Sequence, residues 1–234
     1  MQSHPPLNIE ALLTHVPLFN GLAPEEIGRI ARATREIHAG KGDILFHKGD
    51  PCNGFHLLVY GQIKLAFTSA QGSEKVVQII GQGQSFGEAL MLMDKPYIVF
   101  AQALTDSLLL HVSKAAVFEE LQRDHKLCRK MLAGMAMRLH ELMSDVESYS
   151  LHSGKQRIIG YLLRGLPDET HDGNGNGNVT ITLPTNKGII ASRLNLTQEH
   201  FSRILHELIN LDLIVVEGRK IHIPSVSRLR LHEG

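Results

Sequence analysis

Cysteine is scarce in this sequence. There are two in 234 residues, Cys52 and Cys128, far apart and in no ligand motif. A disulfide framework needs paired cysteines, and an iron–sulfur cluster is usually held by four thiolates, so neither is expected. No apolar run reaches membrane-spanning length, and the N-terminus, with Pro5 and Pro6, has no cleavable apolar core. A transmembrane segment and a signal peptide are therefore not expected, and a cytoplasmic location is. Net charge is also missing: 24 Lys and Arg balance 24 Asp and Glu. From Leu151 onward the balance is 10 to 8. That disfavours a strong nonspecific binder of nucleic acid and leaves specificity to individually placed residues. The patterns G-x-S-x-G, H-E-x-x-H and G-K-[ST] do not occur, and no nucleophile is paired with a base, so no enzyme is expected.

What is present begins with Asn186 to Leu213, which reads as a helix-turn-helix. Ile189, Ile190, Ala191 and Leu194 form a short apolar face, and Asn195 marks the break. Thr197 is a good N-cap for a second helix, whose Phe201, Ile204, Leu205 and Leu208 recur at helical spacing. Its other side carries Gln198, Glu199, Ser202 and Arg203 within two turns of the N-terminus. Arg can fork onto guanine, Glu can accept from a cytosine amino group, and Ser and Gln serve adenine or thymine. A solvated amphipathic helix has the same look. The following residues favour DNA: Leu213–Val216 reads as a strand, Glu217–Lys220 as a turn and Ile221–Pro224 as the return strand. A hairpin there is the wing of a winged helix, and Arg219 and Lys220 at its tip suit phosphate contacts.

Upstream, helical spacing of Ile9, Leu12, Leu13 and Val16 and a second helix beginning near Leu22 precede a β-prone region. From His38 to about Val112, short β runs alternate with glycine turns, which predicts an antiparallel barrel or roll. Gly81-Gln82-Gly83-Gln84-Ser85-Phe86 is not a dinucleotide fingerprint, because Phe86 stands where the last glycine belongs. After a short helix from Ser113 to about Gln122, a long one is expected from about Asp124 to Ser150. On it Cys128, Leu132, Met135, Leu139, Leu142, Val146 and Tyr149 step by alternating fours and threes, a coiled-coil seam. Leu127 and Met131 lie off that seam and suit packing on the β region. A second copy pairing along the seam makes a homodimer. Ser150–Gly154 reads as a hinge, Gln156–Leu166 as a further helix, and Asp172–Asn178 as a flexible loop, since Leu183 stands where a calcium loop needs its closing acid.

These motifs resemble the Crp–Fnr superfamily of bacterial transcription regulators. The Fnr-like branch carries E-x-x-S-R on its recognition helix, and Glu199-His200-Phe201-Ser202-Arg203 is similar to it. The resemblance implies an inverted repeat of TTGAT-type half-sites, with Ser202 helping to read the outer T, and RNA polymerase as a second partner. Val16-Pro17-Leu18-Phe19 followed by Leu22, and the strand pair from Phe55 to Leu65, resemble two further family elements. Gly81–Glu88 resembles the cyclic-nucleotide pattern G-x-G-x-x-F-G-E, which implies an effector pocket at Phe86, Gly87, Glu88, Tyr97 and Ile98. Nucleotide-binding members have an Arg-Ser pair in the region of Lys95–Val99; here the arginine is missing, and Tyr97 and Ile98 stand near its place. Without the guanidinium the phosphate loses its bidentate partner, so cyclic AMP is not expected. Glu88 serving only local backbone donors is an equal reading.

The run Phe86–Pro96 resembles the nitric-oxide-responsive denitrification regulators, although core filling explains its Met and Leu equally well. That subgroup implies control by nitric oxide through haem. His15 is the first candidate ligand, with His38, His47, His56, His111, His125 and His140 behind it; another small metabolite is the alternative effector. No cysteine precedes Cys52, so the chain departs from the cluster-bearing oxygen sensors. The expectation is an α+β chain in three parts: an antiparallel β-roll resembling a cyclic-nucleotide-binding domain at 1–123, a dimerisation helix at 124–150 and a winged helix-turn-helix at 151–234. Effector binding would move the roll against the long helix and, through the hinge, let two recognition helices reach their half-sites.

Overall fold

The computed structural model describes residues 8–14, 19, 22–123, 125–166 and 178–232. It divides into two compact units, Met1–His140 and Glu141–Gly234. The division falls inside the long helix, whereas the sequence suggested boundaries at either end of it.

The first unit opens with α1 (Ile9–Thr14) and α2 (Pro24–Arg32). Ala23 precedes α2 and has no capping side chain, so Glu26 reaches back to its N–H at 2.5 Å. Helical periodicity then gives way to alternation. Eight strands follow: β1 (Thr34–Ala39), β2 (Ile44–Phe46), β3 (Gly54–Tyr60), β4 (Ile63–Thr68), β5 (Glu74–Ile80), β6 (Ser85–Phe86), β7 (Phe100–Ala103) and β8 (Ser107–Ser113). They form two antiparallel four-stranded sheets, ordered β1-β8-β3-β6 and β2-β7-β4-β5. Phe55, Leu57, Ile63, Ile80, Phe86 and Leu109 belong to the core they share. Gly61 is required at the β3–β4 turn: its φ is 96°, and a Cβ there would lie 2.2 Å from Ser107 Oγ.

Two elements differ from the sequence expectation. The β region starts earlier, at Thr34. Within the Met- and Leu-rich run lies α3 (Glu88–Leu92), entered through Gly87 at φ 99°, with Met91 fully buried. Core filling is thus part of what those residues do. Next, α4 (Lys114–Arg123) is tied to α2 by a two-pronged ion pair from Arg29 Nε and Nη2 to Glu120, at 2.5 and 2.8 Å. Glu120 is only 3% exposed, so the fork also satisfies a carboxylate that burial would otherwise penalise.

The long helix α5 (His125–Leu151) has 27 residues. Leu127 and Met131 are buried in the roll's core, as their off-seam positions suggested. Along the seam Leu132, Leu139, Leu142 and Val146 are 57%, 60%, 47% and 63% exposed. Cys128 and Met135 are half-buried. Tyr149 departs from the seam reading: its hydroxyl is bonded to Arg193 within its own chain. The break after α5 is shorter than the expected 150–154, because the helix continues through Leu151 and the next begins at Gly154.

The second unit contains α6 (Gly154–Arg164), β9 (Val179–Thr182), α7 (Lys187–Arg193), α8 (Gln198–Asn210), β10 (Val215–Glu217), β11 (Lys220–Ile223) and α9 (Val226–Arg230). Ser153 and Gln156 form a reciprocal capping box that starts α6. The strands form one sheet, ordered β10-β11-β9. Leu213 and Ile214 are buried lead-in residues rather than strand, and α9 was not anticipated. Ile158, Leu162, Ile190, Phe201, Leu208, Ile221 and Leu229 sit in a core separate from that of the roll. Of the glycine-rich stretch only Asn178 lies among the described residues.

Candidate DNA-reading surface and effector pocket

Local chemistry fixes the helix-turn-helix. Asn186 Oδ1 accepts from the Ile189 N–H at 2.9 Å and starts α7. Asn195 turns the chain at φ 58°, a left-handed conformation that asparagine tolerates. Thr197 Oγ1 then accepts from the His200 N–H at 3.2 Å, the expected N-cap of α8. Phe201, Ile204, Leu205 and Leu208 are each at most 4% exposed, which seats the helix by its apolar stripe. The polar residues fall on the other side: Gln198, Glu199 and Arg203 are exposed and Ser202 is half-buried. Glu199 and Arg203 are one turn apart, so both face the same way from the positive end of the helix. Gln198 is held closer than its neighbours. A Cβ on Gly188 of α7 would come within 2.7 Å of Gln198 Oε1.

The wing forms as expected. Glu217 pairs with Lys220 across β10 and β11, leaving Gly218 and Arg219 as the two-residue tip, with Gly218 at φ 60°. Arg219 and Lys220 are both exposed. At the base of the hairpin His222 meets Thr180 Oγ1 at 2.7 Å and Glu217 at 3.3 Å.

The five residues expected to form an effector pocket do not face one space. Phe86 is 1% exposed and Tyr97 5% exposed. Tyr97 stacks on Phe46 with ring centroids 3.6 Å apart and planes 7° from parallel. Burial, and a hydrogen bond that the Tyr97 hydroxyl donates to Cys52, push that hydroxyl well above its ordinary range, so it stays protonated. Gly87 and Glu88 form the start of α3. Ile98, by contrast, is 52% exposed and lines a pocket of about 330 Å³ with Ile44, His47, Lys48, Phe67 and Phe100. Ile98 lies in a bend just before β7, while Tyr97 is held against Phe46.

Two histidines meet inside the roll, a pairing the sequence did not reveal. The strand registers align Arg35, His111, His56 and Phe86 in one row across β1, β8, β3 and β6. His56 stacks on Phe86 at 5.0 Å and meets His111 edge-on at 4.9 Å. Burial, then the neighbouring His111 and Arg35, push the His56 pKa down to about 3. Burial and Arg35 lower that of His111. Both imidazoles are therefore neutral near pH 7, and His56 Nδ1 has no hydrogen-bond partner.

Two family models match the chain in this order: a cyclic nucleotide-binding domain over residues 36–124 and a Crp-like helix-turn-helix domain over 156–231. The crystal structure of DNR from Pseudomonas aeruginosa is 31% identical, over 96% of this chain and 97% of that one, with a TM-score of 0.51. The chain belongs to the Crp/Fnr family of transcription regulators. Other relatives agree. FixK2 from Bradyrhizobium japonicum shares the fold, with a TM-score of 0.72 at 21% identity over 86% of this chain and 98% of that one. The cyclic AMP receptor protein of Thermus thermophilus is 27% identical over 148 residues, which is 63% of this chain and 68% of that protein. The proteins of this Crp/Fnr kind are DNA-binding regulators, not enzymes.

Within that family frame, haem can be tested against the side chains. Of the candidate ligands, His38, His47, His125 and His140 are exposed. His56 and His111 are neutral, as an iron ligand must be, but the rings of Phe46, Phe86 and Tyr97 lie 5.0 to 6.4 Å from His56 and close the space a macrocycle would need. Haem therefore does not fit around this pair. His15, the first candidate, lies outside the described residues. Among the described residues no group of three or more His, Cys, Asp or Glu is placed to hold a metal ion, and no helix is long and apolar enough to cross a membrane.

Proposed function

We propose that this Crp/Fnr regulator reads a TTGAT-type inverted repeat as a homodimer. The observation that carries this is the placement of Glu199 and Arg203, exposed and one turn apart on the first turns of a capped helix. Arg203 forks onto a guanine and Glu199 accepts from the opposing cytosine. Ser202 contacts the outer T, Gln198 and Thr197 border the same groove, and Arg219 and Lys220 on the wing neutralise phosphates. An inverted repeat requires two reading heads about 34 Å apart, one helical turn of DNA. The exposed row Leu132, Leu139, Leu142 and Val146 supports pairing of two α5 helices along a coiled-coil seam, with Cys128 and Met135 completing it. RNA polymerase is the second partner in this reading.

The effector is a small molecule that shifts the protein between two states by its differential affinity for them. Nitric oxide acting through haem is the reading supported by the run Phe86–Pro96, in which His15 would be the residue that holds the iron. A metabolite other than haem is favoured by a specific observation: rings occupy the roll's interior, while the pocket of about 330 Å³ beside Ile98 suits a small ligand. Cyclic AMP is not the effector in either case, because the phosphate-holding arginine is missing from the region of Tyr97 and Ile98.

Fluorescence anisotropy on the TTGAT repeat and on scrambled DNA, across a salt series, tests the DNA reading. Specific binding that weakens with salt is expected; equal affinity for both duplexes refutes it. Leu139→Glu should convert the sedimenting dimer to monomer, and an unchanged profile refutes the seam. Haem titrated into the protein should give one sharp Soret band per chain that shifts with nitric oxide if the gas reading holds. Nonstoichiometric uptake with unaltered DNA binding removes haem and leaves the metabolite.

A further inference from the structure

The end of the long helix is fastened to the turn of the helix-turn-helix. The last carbonyls of a helix have no partner within it. At the end of α7, three consecutive carbonyls receive side-chain donors instead. The Tyr149 hydroxyl donates to Arg193 O at 2.5 Å, and Arg157 Nη1 donates to Leu194 O at 2.8 Å and Asn195 O at 3.2 Å. The Arg193 side chain folds back to the same place. Its Nη1 donates to the Tyr149 hydroxyl at 2.5 Å and its Nη2 to Asp145 Oδ2 at 2.5 Å. The Arg157 guanidinium lies 5.9 Å from the centre of the Tyr149 ring.

Asp145 and Tyr149 are one turn apart on α5, so a single helix face supplies both. The Arg193 and Asp145 side chains are 23% and 15% exposed, which shelters the pair from screening. Burial raises the Tyr149 hydroxyl above its ordinary value, so it remains a donor at neutral pH. All these groups lie within the second unit, together with the last turns of α5. The knot holds the residues that aim α8: Asn195 makes the turn, and α8 begins at Gln198.

We infer that Asp145, Tyr149 and Arg193 are positioning residues for DNA recognition, which lock the end of α5 to the helix-turn-helix turn and so set which spacing between half-sites the protein accepts. This rests on the homodimer and inverted-repeat reading above. With the knot intact, pairing of two α5 helices fixes the direction of each recognition helix. With it cut, each reading head loses these bonds to α5 and keeps the covalent link through His152 and Ser153. One half-site is then read as before. The second half-site no longer meets a preset partner, and its effective concentration falls.

The test compares wild type, Tyr149→Phe and Asp145→Asn as full chains. DNA duplexes carry one TTGAT half-site, the repeat, or the repeat with its centre lengthened or shortened by one or two base pairs. Thermal unfolding of each protein is recorded alongside. Both variants should remain folded and keep wild-type affinity for the single half-site. Each should lose about 10-fold on the repeat, within the usual range for coupling between sites, and should tolerate altered spacers that wild type rejects. Unchanged spacing preference in the variants overturns the inference. So does a proportional loss on half-site and repeat, which marks a merely structural role. If wild type itself shows no preference for the repeat over one half-site, the inverted-repeat reading fails first and takes this one with it. Should Tyr149→Phe fold poorly, Asp145→Asn, which preserves the volume of the side chain, decides alone.

Discussion

On α8, Gln198, Glu199 and Arg203 stand in solvent on a capped helix; in the β-roll, His56, His111 and Tyr97 lie among stacked rings. Both regions are rich in polar side chains, but only one leaves them available. The reading surface is built before DNA arrives, because the apolar stripe of α8 fixes the helix and none of its polar groups must leave a buried partner. The roll's interior is filled by its own side chains. A ligand entering there must part Tyr97 from Phe46 and repack the row from Arg35 to Phe86. In the proposed reading, recognition of DNA is therefore limited by where the heads are placed, and an effector must bind outside the filled interior or displace its rings.

The largest effect separates the two cores. Phe201→Ala should cost about 3–5 kcal/mol, the usual penalty for truncating a buried phenylalanine, and abolish DNA binding. Calorimetry should show the transition of the second unit moving and that of the roll staying; equal shifts would break the comparison. Acid comes next, and it acts on the roll. The folded pKa of His56 lies below its unfolded value, so its contribution is full above pH 6.5. It drains as pH falls from 6.5 towards 3, where the unfolded chain binds a proton that the fold refuses. His111 adds in the same direction. A loss of roughly 2 kcal/mol between pH 6.5 and 5 is expected for His56. Urea unfolding at several pH values checks it, and His56→Phe, which keeps the stack on Phe86, should flatten the profile.

Arg203→Ala should cost about 1–3 kcal/mol on the specific site and much less on random DNA. An equal loss on both would show that Arg203 meets only phosphate. The smallest expected effect is none: micromolar cyclic AMP should give no calorimetric signal and leave DNA affinity unchanged. A saturable heat would show that Tyr97 yields easily, and the contrast between open and closed regions would lose its force.

The readable parts of the sequence were those whose information is local. Thr197, the stripe from Phe201 to Leu208 and the opposing Glu199 and Arg203 fall within a few turns of one helix, and periodicity is enough to assign them. The wing's turn at Glu217–Lys220 was read from a short turn signal in the same way, although Lys220, expected at the tip, opens β11. The stack of Tyr97 on Phe46 and the meeting of His56 with His111 depend on strand registers between distant segments, which composition and alternation do not specify. Placing Tyr97 and Ile98 in one pocket failed for that reason. Helix α3 has five residues, too few for a 3.6-residue period to declare itself. Tyr149 shows a different limit. Its spacing from Val146 and Leu142 fits a seam, yet spacing gives the direction of a side chain and not the identity of what waits there; Arg193 is that partner.

Gly188 carries a consequence of its own. It lies in α7, away from the reading turns of α8, yet its bare Cα is the space against which the end of Gln198 rests. An alanine there would clash with the tip of a flexible side chain and touch the capping Asn186 Oδ1 at an ordinary 3.4 Å, so the fold would accept it and Gln198 would swing aside. In the reading proposed above, a substitution at Gly188 would therefore alter the floor beneath a groove-facing side chain while that side chain itself is retained.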